Sequence, residues 1–284
     1  MTFQDINIRD PFVLPADGKY YLYGTRGSTT FGYAIGFDVY VSEDLENWSE
    51  PHSVFEASAD FWADRNFWAP EVHAYNGKYY MFASFKAENA CRGTQILVAD
   101  TPQGPFVPLT REPVTPRDWE CLDGTLYVAK DGKPYIVFCH EWVQVKDGEM
   151  CAMELTPDLK AAASEPRLLF HASEPHWANK DADSYVTDGP FLYRMQDGRL
   201  LMLWSSFAGK DYVEAIAVSD NDDITGNWTH LPELLFEKDG GHGMIFRTFE
   251  GELCFIMHSP NHPGGAERPR LTTLVEENGT LRVK

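Results

Sequence analysis

Three aspartates stand in front of apolar, strand-like runs: Asp10 in "NIRDPFVL", Asp123 in "CLDGTLYV" and Asp188 in "VTDGPFLY". A strand needs no carboxylate at its entrance, so either the local turns require the acid or the acids converge. Aspartate before Pro or Gly is ordinary turn chemistry. Its recurrence at matching points of a repeated phrase is harder to assign to turns, because like charges brought together raise one another's pKa and weaken the fold. A cluster formed at that cost suits a reaction needing one ionised and one protonated acid. Hydrolysis of a glycosidic bond is such a reaction: one carboxylate activates water or attacks, and a protonated carboxyl across the bond supplies the leaving group's proton. A third acid beside the donor keeps its pKa raised and holds it in place. A metal centre fits less well, since the histidines are dispersed, without the short His or Cys spacings of such sites.

The elements that must position these acids repeat. A turn pair, an apolar strand, a polar turn with Gly and a second aromatic strand recur as "DPFVLPADGKYYLYGT", "APEVHAYNGKYYMFAS", "DGTLYVAKDGKPYIVF", "DGPFLYRMQDGRLLMLWSS" and "GHGMIFRTFEGELCFIMHS". The inner turns carry Asp17-Gly18, Asn76-Gly77, Asp131-Gly132, Asp197-Gly198 and Glu250-Gly251, the glycine that tight hairpins favour. A second hairpin follows several copies, as in "FDVYVSEDLENWSEP" and "EAIAVSDNDDITGNWTHLP". Four short strands at a period of roughly 55 to 65 residues make one propeller blade. Helical periodicity is absent. The reading is all-β: a five-bladed β-propeller filling residues 1–284 as one catalytic domain. First strands line the channel in the same direction, so residues at their starts ring one mouth, and the three acids become one cluster.

Composition sets limits. The aromatic share of 14 % marks a folded globular protein. Acidic residues outnumber basic ones 43 to 24, which repels phosphate backbones and excludes nucleic acid as a natural partner. No apolar run nears the roughly 20 residues that span a bilayer, so no membrane role is expected. The start "MTFQDINIRDPF" lacks a basic, then apolar, leader, and the five cysteines form no CxxC pair. A reduced, cytoplasmic setting is the expectation, with a trimmed secreted chain the alternative.

With "RDP" at the first repeat, "FWAPEVH" at the second, the third-repeat Asp before a "DGKPY" hairpin and "GHGMIF" at the fifth, the chain resembles glycoside hydrolase family 43 over nearly its whole length. That resemblance implies five-bladed propellers cleaving arabinofuranosides and xylosides with inversion. It implies Asp10 as general base, Asp123 as the acid that tunes and orients the donor, and Asp188 as the donor. His242 matches a family histidine near the axis that holds a calcium ion or a water; no cofactor is otherwise required. One departure stands out. The family's donor is a Glu in Glu-Gly-Pro, whereas this chain has Asp188-Gly189-Pro190, shorter by about 1.5 Å. A working but shorter donor, a changed substrate and a sugar-binding propeller without its acid all remain open on sequence. The expected substrates are oligosaccharides or polysaccharides bearing α-L-arabinofuranosyl or β-D-xylosyl units, cleaved in exo fashion. Arg9, Phe67, Trp68, His73, Glu141, Trp142 and Arg247 are the expected substrate-binding residues, the aromatics as stacking surfaces and the arginines as partners of hydroxyls or carboxylates.

Overall fold

The computed structural model describes residues 1–180 and 182–284. Five antiparallel sheets of four strands follow one another along the chain, each a meander of sequential strands. Their first strands, Ile8–Ala16, Arg65–Tyr75, Cys121–Val128, Asp188–Arg194 and Gly241–Arg247, contact one another in cyclic order, the last returning to the first. This is the five-bladed propeller read from the repeats.

Burial explains the composition of the blades. The second strands, including Lys19–Arg26, Pro134–His140, Leu200–Ala208 and Leu253–Ser259, are buried along almost their whole length. Each is sandwiched by neighbouring blades, so its sequence runs apolar without alternation. The cores lie between blades: Phe37, Phe55, Phe67 and Phe85 gather in one cluster, Phe170, Trp204 and Ala215 in another. Among the described residues, no strand of the first sheet joins the last. Ring closure rests instead on side chains: Asn7 donates to the carbonyls of Gly265 and Glu267, Arg9 pairs with Glu267 at 2.9 Å, and Arg268 donates to the Gln4 carbonyl.

The two ends of the inner strands differ. At the hairpin end, Asp17-Gly18 and Asn76-Gly77 have φ of 51° and 73°, and 46° and 77°. These are the paired left-handed conformations of tight two-residue turns, matching the registers Ala16↔Lys19 and Tyr75↔Lys78. At the starting end every inner strand is bulged. Register shifts fall between Arg9 and Phe12, Trp68 and Glu71, Asp188 and Phe191, and Gly241 and Met244, and beside Asp123 where Val137 to Cys139 faces Thr125 to Leu122. One left-handed residue marks each bulge: Asp10 (φ 52°), Ala69 (47°), Asp123 (55°), Gly189 (52°) and His242 (51°). Bulges re-aim side chains, and these turn them towards the channel mouth.

Candidate active site

Asp10, Asp123, Asp188 and His242 line one cleft of about 370 Å³ at the bulged mouth, with Arg9, Trp68, Glu141, Trp142, Phe31, Phe207 and Tyr212 among its other walls. The acids do not occupy equivalent points, contrary to the expectation from the repeats. Asp10 and Asp123 are the left-handed residues of their bulges, whereas Asp188 stands one residue earlier. It pairs with Ser205 as Arg9 does with Thr25, Trp68 with Ser84 and Leu122 with Cys139. In blade 4 the bulge falls on Gly189, and space explains the glycine. A Cβ there would lie 2.8 Å from the His242 ring, closer than packed atoms approach.

The acids have different surroundings. Asp10 receives the Thr25 hydroxyl at 2.5 Å and lies 3.2 Å from Nδ1 of His242. Burial alone would raise its pKa, but His242, then His258, Arg9 and the Thr25 bond outweigh burial and hold it below the ordinary value. His258 takes up charge only in the acid range. Its Nδ1 accepts the Asp10 N–H at 3.2 Å, its Nε2 faces Asn261 Oδ1 at 3.2 Å, and burial and Arg9 push it down to about 3. Arg9 is held in turn by Asn261 at 2.6 Å and by Glu267.

Asp188 behaves oppositely. Burial, then the neighbouring Asp123 charge, raise it to about 7, against the lowering effect of His242 and of the Tyr212 hydroxyl, which donates to Oδ2 at 3.0 Å. Asp123 is also raised, by burial, by Asp10 and by Glu71, while the Gly189 N–H donates to its Oδ2 at 3.1 Å. Asp10 stays ionised, while the neighbouring Asp123 and Asp188, both raised, form a pair that holds a proton near neutrality. That is the division a base and a proton donor require.

Around the acids, Trp68 forms a fixed wall. Its indole N–H donates to the Thr30 carbonyl at 2.5 Å, the Arg92 guanidinium lies 3.8 Å from its ring centroid, and Phe31 meets it edge-on at 6.2 Å. Glu141 accepts from Arg92 Nε at 3.2 Å, so it holds the stacked cation and lines the cleft at once. Trp142 opens a single helical turn, Trp142–Val145, at the rim.

Three expected substrate-binding residues lie elsewhere. Phe67 is 1 % exposed in the aromatic core with Phe37 and Phe85, because adjacent strand residues face opposite ways and Trp68 takes the cleft side. His73 sits further along the strand, 3.1 Å from Glu71 and packed edge-on to Phe12. Arg247 ends its strand at the hairpin side, bonded to the Tyr193 hydroxyl at 3.0 Å. It lines a separate polar hollow of about 530 Å³ with Glu252 and Glu276. That hollow is larger than the cleft but holds none of the three acids. Sequence reasoning missed Tyr212, Phe31, Phe207, Arg92 and Glu214. Tyr212 comes from the third strand of blade 4, Asp211–Ser219, in a run with no motif. The exposed apolar Phe31, beside Tyr33 and Ile35 in a loop rich in Gly, Ser and Thr, was the one visible signal.

Calcium takes six to eight oxygen ligands. Among the described residues no three His, Cys, Asp or Glu side chains are arranged to hold a metal. At His242, Nδ1 is committed to Asp10 and Asp123, leaving buried Nε2 without a protein partner. One imidazole nitrogen can meet a water, or an ion whose remaining ligands are waters.

A propeller with an ionised and a protonated carboxyl in one cleft has the equipment of a carboxylate-pair hydrolase. The sequence profile of glycosyl hydrolases family 43 matches residues 4–277, and the chain belongs to that family. It is similar to the structure of an endo-arabinase from Bacteroides thetaiotaomicron, at 40 % identity, 98 % coverage of both chains and a TM-score of 0.90. Among curated proteins it is 26 % identical over 171 residues to extracellular endo-alpha-(1->5)-L-arabinanase 1 of Bacillus subtilis, covering 56 % of this chain and 52 % of that one. It is 30 % identical over 136 residues to a xylosidase/arabinosidase of Bacteroides ovatus, covering 42 % of each. The chain spans about half the length of these curated relatives.

Proposed function

We propose that this protein is an inverting glycoside hydrolase of α-L-arabinofuranosyl linkages. Asp10 takes the proton from an attacking water, Asp188 protonates the leaving oxygen, and Asp123 raises and orients Asp188. The observation carrying this reading is the opposed environment of the two acids, one lowered by His242 and Arg9, the other raised to about 7 by burial and Asp123. It favours catalysis over a sugar-binding propeller, which has no use for a protonated carboxyl beside an ionised one. With Tyr212 holding Oδ2 of Asp188, the other oxygen is left to carry the proton.

The arabinan assignment follows the endo-arabinase likeness; xylosyl units are the second reading, favoured by the xylosidase/arabinosidase relative. For the mode of action, exposed Phe31 from blade 1 and Trp142 from blade 3 line the cleft together with the Trp68 wall. Such a rim suits a chain running beyond the cleft, and so internal cleavage rather than the exo action expected from sequence. No cofactor takes part in this scheme.

Purified protein, treated with EDTA, should hydrolyse linear arabinan to oligosaccharides and nitrophenyl α-L-arabinofuranoside faster than the β-D-xyloside. The first product seen by proton NMR should have the inverted anomeric configuration. Retention, or sugar binding without turnover, would overturn the proposal. Activity dependent on added calcium would overturn its cofactor part.

A further inference from the structure

Four of the five blades share one hydrogen bond. The side chain opposite the residue before the bulge accepts the N–H of the next blade's left-handed residue. Thr25 Oγ1 accepts from Ala69 at 2.8 Å, Ser84 Oγ from Asp123 at 2.8 Å and Ser205 Oγ from His242 at 2.6 Å. His258 Nδ1 accepts from Asp10 at 3.2 Å, which carries the pattern across the ring closure. Blade 3 breaks the series. Its equivalent position, opposite Leu122, is the fully buried Cys139, and the N–H it would receive, that of Gly189, goes to Asp123 Oδ2 at 3.1 Å. Thiol sulfur is a weak acceptor, so a carboxylate oxygen takes the donor.

We infer that Cys139 is a positioning residue: because it is not a hydroxyl, the Gly189 N–H is left to stabilise the anion on Asp123, and the proton shared by this pair of acids resides on Asp188. Burial and mutual repulsion disfavour two anions in this pocket, so Asp123 and Asp188 titrate as a coupled pair. In its singly protonated state the proton sits on whichever carboxyl is worse solvated as an anion. A backbone N–H on Asp123 favours charge there, and competes with the Tyr212 hydroxyl that favours charge on Asp188. The inference rests on the proposed role of Asp188 as proton donor.

The substitution Cys139→Ser restores the acceptor that Ser84 and Ser205 provide in their blades, whereas Cys139→Ala removes the sulfur without adding one. Carbon-13 carboxyl NMR titration of all three proteins, beside their melting temperatures, reads the pair directly. Cys139→Ser should move the Asp123 midpoint up and the Asp188 midpoint down. It should also lower kcat by about 5-fold on arabino-oligosaccharides, with a smaller loss on nitrophenyl glycosides, whose leaving group needs no proton. Cys139→Ala should keep the wild-type midpoints and the wild-type ratio between substrates. Identical midpoints in all three proteins would overturn the inference. Shifted midpoints with an unchanged substrate ratio would leave the hydrogen bond in place and overturn its catalytic role. Failure of the Asp188 assignment itself appears separately, as Asp188→Asn retaining full activity on oligosaccharides.

Discussion

Asp10 and Asp17 lie seven positions apart on one hairpin arm and share one backbone conformation, with φ of 52° and 51°. Asp17 is exposed at a two-residue turn, while the Asp10 side chain is only 10 % exposed at the bulged mouth, bonded to Thr25 and close to His242. The contrast repeats in blade 3, where Asp131 caps the Lys133 N–H at an exposed tip and Asp123 is 5 % exposed in the channel. Aspartate tolerates the left-handed region at both ends of the blade 1 strand; in blade 3 Asp123 adopts it, and at the tip Gly132 does (φ 86°). Turn chemistry therefore accounts for the residue type at either end of the strand. What it does not supply is burial and partners, and those set Asp10 and Asp123 apart from Asp17 and Asp131.

The comparison breaks most sharply at Asp10. Asp10→Asn keeps the shape and loses the base, so kcat should fall about 10²–10⁴-fold with little change in melting temperature. Near-normal turnover would move the base elsewhere. Next in size is the pH profile. With Asp10 lowered and Asp188 at about 7, kcat/KM should hold through mildly acidic pH and fall as pH rises through about 7. Tyr212→Phe removes a bond that lowers Asp188, so its alkaline limb should move to higher pH; a shift to lower pH would contradict the assignment.

Stability should show a smaller effect. Glu214 lies behind His242, accepting from Ser205 at 2.8 Å and the Gly243 N–H at 3.0 Å, and burial raises it to about 8. A carboxyl raised on folding adds stability below its unfolded pKa and loses it as pH rises through the folded value. The melting temperature should therefore decline towards pH 8, and Glu214→Gln, which keeps an oxygen for both donors, should flatten that decline. Smallest of all, Asp17→Asn should change stability by less than about 0.5 kcal/mol and leave kcat unchanged. Any substantial loss of activity there would dissolve the distinction between the two ends of the strand.

The same distinction explains what could be read in the sequence. The Asp-Gly and Asn-Gly turns and the double-sided apolar second strands write a strong local signal, so the blades and their count were legible. Asp10, Asp123, Asp188, Arg9 and Trp68 stand near inner-strand starts in the repeats, His242 follows from the family resemblance, and Glu141 and Trp142 follow the third repeat's second strand; the structure brings all of them to one cleft. Phe67, His73 and Arg247 were misplaced for geometric reasons. Arg247 lies five residues beyond His242, about 16 Å along an extended strand, and the side of the strand decides between Phe67 and Trp68. The one-residue offset of Asp188 is invisible in "DGP", since either Asp or Gly can take a left-handed bulge position. Tyr212 reaches the site across two strands, a relation no local pattern records.

The central claim is that the short acid Asp188 delivers the proton. Its most direct test compares Asp188→Asn with the unaltered protein on two substrates, arabino-oligosaccharides and nitrophenyl α-L-arabinofuranoside. Proton donation matters only for the leaving group that needs it. The account predicts near-complete loss on the oligosaccharides, with much of the nitrophenyl activity kept. Equal, small losses on both substrates would contradict it.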